Sequence, residues 1–191
     1  MLKIDATIGY NNSLTTIKKS FSKGEIVGIQ GRNGSGKSTT LSTIAGEISP
    51  LSGVITFDGV SVHNIESAKK IVRVSEADFY PDLSVGEHLK LLQRYGSFDY
   101  DFAVESWDLE GLLQESPSRM SSGQQQRFHL AMNFGRSHQL LLLDEPERHL
   151  DKEWIKVLIT QIRRKASKGA IVIMASHSSM LLGSCETILD L

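Results

Sequence analysis

The amino-acid sequence predicts an α/β fold with a mainly parallel sheet, an N-terminal antiparallel β portion and a small inserted helical lobe. Three observations carry this expectation. Short aliphatic, β-branched segments alternate with helical ones along most of the chain. The pair Asp58-Gly59 directly after a β-rich run marks a hairpin-type turn, which calls for antiparallel pairing in the N-terminal half. A polar, aromatic stretch then interrupts the alternation, and residues of about 77–120 read as a lobe set into a core made of 1–76 and 121–191.

The elements follow in order. Glu25-Ile26-Val27-Gly28-Ile29-Gln30 is apolar, β-branched and closed by a glycine loop, the pattern of a buried strand. From Lys37 to about Ala45 the chain reads as a helix, ended by Gly46 and stopped by Pro50. Gly53-Val54-Ile55-Thr56-Phe57 is the strand that enters the hairpin turn. Ser84 with Glu87 three residues later forms a capping box, and the apolar spacing of Val85, Leu89 and Leu92 continues a helix to about Tyr95. After the lobe, residues 122 to about 136 read as helix and 139–143 as a continuous aliphatic strand. Residues 152 to about 165 form an amphipathic helix introduced by Asp151, 170–174 a second buried strand, and 187–191 a last short one.

Composition sets limits on function. At 191 residues, 40% hydrophobic and 23% charged, the chain can bury a substantial core and fits one domain with a small inserted lobe. The formal net charge of -1 leaves no global positive field to hold a polyanion, so nucleic acid is not an expected partner. The single cysteine, Cys185, reads as a small buried hydrophobe and fits a reducing cytosol. The longest apolar runs fall far short of the roughly 20 residues that cross a bilayer, and the first residues lack the pattern of a secretory signal.

Gly31-Arg32-Asn33-Gly34-Ser35-Gly36-Lys37-Ser38-Thr39 fits the phosphate-loop pattern, and it lies between a predicted strand and a predicted helix. Glycines let backbone N–H groups converge on phosphate oxygens, and the helix beginning near Lys37 adds the positive end of its dipole. Lys37 is placed to bridge the β- and γ-phosphates of ATP, and the Ser38 hydroxyl to ligate Mg²⁺. Leu140-Leu141-Leu142-Leu143-Asp144-Glu145 delivers two adjacent carboxylates at the C-terminal end of a strand, where ligands bind in such sheets. Two acids after a strand are, taken alone, more often a solvated loop. Following a phosphate loop, Asp144 reads as a metal ligand through water and Glu145 as the general base for an attacking water.

Met120-Ser121-Ser122-Gly123-Gln124-Gln125-Gln126-Arg127 is a serine- and glycine-rich helix start, a second phosphate-binding surface far along the chain from the first. It resembles the signature of the ABC ATPases, Leu-Ser-Gly-Gly-Gln followed by Gln-Gln-Arg, with Met120 for the leucine and Ser122 for the first glycine. The resemblance covers essentially the whole chain and implies a P-loop NTPase core, with ATP and Mg²⁺ as cofactors. It implies that Tyr10 stacks on adenine and that Ser121, Ser122, Gly123 and Gln124 contact nucleotide. By the same resemblance, His177 is the switch histidine that contacts the γ-phosphate and holds Glu145 and its water.

Two segments depart from the family pattern. Where the family has a glutamine after a strand, this chain has Val74-Ser75-Glu76, so Glu76, or Ser75 by a one-residue shift, occupies the coupling loop and can meet Mg²⁺. Glutamate in this loop is similar to exporters that remove antimicrobial peptides from some bacteria. The segment Pro146-Glu147-Arg148-His149-Leu150-Asp151 keeps the Leu-Asp of the family's Ser-Ala-Leu-Asp loop but sets Arg148 and His149 in place of its small residues. The resemblance further implies a head-to-tail pair of ATPase subunits, identical or homologous, and a separate transmembrane permease subunit. The chain is then cytoplasmic and attached peripherally to the cytoplasmic face of the membrane. The competing readings are a soluble ABC-type mechanical ATPase and a P-loop small-molecule kinase, which would not need residues 121–127.

Overall fold

The computed structural model describes residues 1–191. In chain order the elements are strands β1 (Leu2–Gly9), β2 (Ser13–Phe21) and β3 (Ile26–Gln30), helix α1 (Lys37–Ile44), strands β4 (Ser52–Phe57) and β5 (Val60–Ser61), helix α2 (Ile65–Ala68) and strand β6 (Ile71–Val74). Helices α3 (Val85–Tyr95), α4 (Tyr100–Ser106) and α5 (Ser122–Phe134) come next. Strand β7 (Leu140–Asp144), helix α6 (Lys152–Ser167), strand β8 (Ile171–Ala175), helix α7 (Ser179–Leu182) and strand β9 (Thr187–Asp190) complete the chain.

The chain divides into two compact units. The first, Met1–Ser75 with His138–Pro146 and Ile159–Leu191, holds both sheets. One is antiparallel with order β2-β1-β4-β5, and in β1 the alternation Leu2, Ile4, Ala6, Ile8 buries one face while Lys3 stays exposed. The antiparallel portion is therefore wider than the hairpin turn alone foretold, because β1 pairs with both β2 and β4. The other sheet is parallel throughout, with order β6-β7-β8-β3-β9. Its central strands are covered on both faces, which is why β7 and β8 read as unbroken aliphatic runs. Leu140, Leu142, Ile171 and Ile173 join Leu2, Ile4, Ile29, Leu41 and Ile44 in one core. Truncating any of these to alanine costs about 2–5 kcal/mol.

The second unit, Glu76–Ser137 with Glu147–Leu158, is mainly helical. It is wider than the lobe boundaries drawn from the sequence, for a packing reason: α5 supplies Phe128, stacked on Phe79 at 5.2 Å, and Phe134, edge-on to Trp107 at 5.5 Å. Trp107, Leu89, Leu109, Phe128 and Phe134 are buried there. Arg127, itself buried, lies over the Trp154 ring at 4.2 Å and donates to the Trp107 carbonyl and the Asp108 carboxylate. The capping box foreseen at Ser84 with Glu87 is built on α3, and a second reciprocal box, Ser121 with Gln124, starts α5.

Candidate nucleotide site

In the first unit, β3 ends at Gln30 and α1 begins at Lys37, so residues 31–36 form the loop between them. Two glycines there answer to different constraints. A Cβ on Gly31 would stand 2.4 Å from the Ser35 hydroxyl and 2.8 Å from the Leu191 carbonyl oxygen. Gly36, the residue before the helix, has φ of 100°, a conformation that side-chain-bearing residues rarely adopt. From Asn33 to Thr39 only the Ser35 N–H, bonded to the Arg32 carbonyl at 3.1 Å, enters a backbone hydrogen bond, which leaves a run of N–H donors without a backbone acceptor. The buried Ser35 hydroxyl has no partner in the protein either. Arg32, Asn33 and Gly34 form the exposed rim. Such a set of unused donors at a helix start with no acidic residue in its first turn fits a polyphosphate.

Charge and oxygen ligands gather around the same loop. Lys37 is 7% exposed, and its ammonium is held over the loop by the carbonyls of Gly31 at 3.0 Å and Arg32 at 3.2 Å. The Ser38 hydroxyl donates to Asp144 Oδ1 at 3.1 Å. Burial pushes the Asp144 carboxyl above the ordinary range, opposed by the Ser38 bond and by the charges of Arg73 and Lys37, and abetted by Glu145. A hydroxyl and a carboxylate in contact are a hard-oxygen pair suited to Mg²⁺. At Glu145 the backbone turns to φ of 46° and its N–H donates to the Ala175 carbonyl at 2.9 Å. The Glu145 carboxylate lies 3.6 Å from His177 Nε2, just beyond β8.

The first unit thus brings together the phosphate loop, Lys37, Ser38, Asp144, Glu145 and His177. Tyr10 stands exposed at the turn after β1, and Leu14, just beyond that turn, has its side chain close against Gly36. In the second unit Ser121 and Gln124 are tied to each other by the capping box, Ser122 is exposed, and Gly123 lies close to the His149 carbonyl, which a Cβ would approach to 3.0 Å. The backbone of His149, next to Arg148, thus approaches the serine-glycine helix start. Glu76 also belongs to this unit. Sequence reasoning missed Arg73, whose guanidinium reaches both Asp144 at 3.6 Å and Glu47 at 2.9 Å, and Leu14. Neither sits in a recognisable run, and their partners are distant in sequence.

Fold and site together define a P-loop nucleotide-binding protein. The family model described as ABC transporter matches residues 14–148. The chain is 35% identical to the thiamine import ATP-binding protein ThiQ of Jannaschia sp. over 165 residues, 81% of this chain and 72% of that protein. It is 30% identical to the cytochrome c biogenesis ATP-binding export protein CcmA of Haemophilus ducreyi, over 88% of this chain and 84% of that one. A solved structure of an ATP-binding subunit of an ABC transporter superposes with a TM-score of 0.86 at 25% identity, covering 100% of this chain and 85% of the other. The chain belongs to the ABC transporter family.

Proposed function

We propose that this chain is the ATP-hydrolysing subunit of a membrane ABC transporter, driving a transmembrane subunit made as a separate polypeptide. The observation that carries the reading is the joining of Ser38 to Asp144 and the approach of His177 to Glu145 beside a loop of unused N–H donors. The family-model match supports the same assignment. No helix of the chain is long and apolar enough to cross a membrane.

In this mechanism the amides of residues 31–39 cradle the phosphates and Lys37 turns from the Gly31 and Arg32 carbonyls onto the β- and γ-oxygens. Ser38, with Asp144 through a water and Glu76 or Ser75 from the coupling loop, would hold Mg²⁺, which would supply neutralisation of charge on the phosphoryl oxygens. Glu145 takes the proton of the attacking water, and His177 keeps its carboxylate in place. Tyr10 stacks on the base. Ser121, Ser122, Gly123 and Gln124 of a second ATPase subunit close over the same nucleotide, so ATP joins the pair and hydrolysis releases it. The coupling loop passes that motion to the permease at the cytoplasmic face of the membrane.

Replacing Glu145 by Gln should preserve ATP binding and lower hydrolysis by about 10²- to 10⁴-fold, measured as phosphate release. Lys37→Ala should lose nucleotide affinity in a direct binding titration. An unchanged hydrolysis rate in the first variant, or equal binding by the second, would sink the residue assignments. Copurification of the chain with an integral membrane protein tests the transporter assignment, and its failure favours a soluble mechanical ATPase.

A further inference from the structure

Both carboxylate oxygens of Asp144 are engaged by protein groups. Oδ1 accepts from Ser38 at 3.1 Å, and Oδ2 lies 3.6 Å from an Arg73 guanidinium nitrogen. Arg73 comes from the middle of β6, in register with Leu142 on β7, and its side chain is only 20% exposed. Its Nε is held harder by another acid, Glu47, at 2.9 Å. One guanidinium is therefore shared between a half-exposed glutamate and the carboxylate assigned to the metal. A fixed positive charge within 4 Å of a carboxylate acts as a competitor for any further cation there, and in a partly buried setting the competition is poorly screened.

We propose that Arg73 is a positioning residue for the metal step. It serves as the resident counter-cation of Asp144 and is drawn to Glu47 when a divalent cation arrives with the nucleotide. Arg73 holds the carboxylate oriented toward Ser38 while the site is without metal, and Glu47 supplies the place to which the displaced charge retreats. The inference rests on the assignment of Asp144 as a metal-site residue. It adds a way of setting how strongly metal and nucleotide binding depend on each other, and it makes two substitutions in one ion-pair chain act with opposite signs.

The test is the affinity for a fluorescent ATP analogue in EDTA against that in Mn²⁺, the ratio being the metal's contribution to binding. In Arg73→Gln the ratio should rise about three- to tenfold over wild type, since the competing charge is gone. In Glu47→Gln it should fall by a similar factor, because the guanidinium then stays on Asp144. Arg73→Lys, which keeps the charge, should stay nearer to wild type than Arg73→Gln. Glu47 is half-exposed, so its variant reports even if Arg73→Gln folds poorly. A merely structural ion pair would move both ratios the same way or not at all, and either result overturns the role of Arg73 while leaving the nucleotide site intact. Absence of analogue binding by the wild type in both conditions would instead overturn the nucleotide site, and the inference with it.

Discussion

At Glu145 the backbone leaves β7 in the left-handed region, with φ of 46°, a conformation that costs a residue bearing Cβ on the order of 1–2 kcal/mol. The strain is held by the bond from its N–H to the Ala175 carbonyl, and it sends the Glu145 side chain toward His177 while Asp144 turns to Ser38. Adjacent residues on a strand already point to opposite faces, and the turn gives the second carboxylate a direction of its own. Replacing Glu145 by Gly should remove the acid and the strain together. Hydrolysis should be lost as in the Gln variant, while stability in urea unfolding without nucleotide rises by about 1 kcal/mol. The Ala variant should lose hydrolysis with no such gain, and a Gly variant no more stable than Ala would refute the strain argument. The candidates Lys37, Ser38, Asp144 and Glu145 stand out in the sequence because they lie in short local patterns. The shared guanidinium of Arg73 does not, since only the pairing of β6 with β7 brings it to Asp144.

Elements show the same division. The aliphatic strands β7 and β8 and the capping box of α3 depend on nearest neighbours and were legible as such. Strand β6, four residues interrupted by a charge, offered no comparable run, and α4 lay hidden in a polar, aromatic stretch. Helix α3 also does something that no local pattern announces. His88, 4% exposed, sits with Nδ1 2.8 Å from the Ser84 carbonyl and Nε2 3.0 Å from the Tyr80 N–H. A carbonyl only accepts and an N–H only donates, so Nδ1 donates to the Ser84 carbonyl and Nε2 accepts from the Tyr80 N–H. The ring hooks the segment after Glu76 to α3, beside the Phe79–Phe128 stack that ties the same segment to α5. His88→Leu keeps much of the packing and leaves the Tyr80 N–H without its acceptor, which should cost about 1–3 kcal/mol. Hydrogen exchange should show the Tyr80 amide opening well before the interior of α3. Unchanged protection of that amide in the variant would deny the hook.

For the whole molecule, the legible part was the α/β class, and the illegible part was which helices travel with the lobe, since α5 is assigned by aromatic contacts rather than by any boundary in composition. The phosphate loop, Asp144, Glu145 and His177 belong to the first unit, whereas Ser121, Ser122, Gly123 and Gln124 belong to the second. If those four residues act on the nucleotide of another subunit, their engagement obeys mass action between chains, while filling of the phosphate loop does not. The Glu145→Gln variant with Mg²⁺ and ATP separates the two events by hydrogen exchange. Protection of residues 31–39 should be the same at dilute and at concentrated protein, provided ATP is saturating. Protection of 121–127 should be weak when the chain is dilute and should rise with concentration over a range of about a hundredfold, tracking the appearance of a dimer in light scattering. Equal protection of both segments at the lowest concentration, with the chain still monomeric, would mean that one chain completes its own site, and the head-to-tail pair would have to be abandoned.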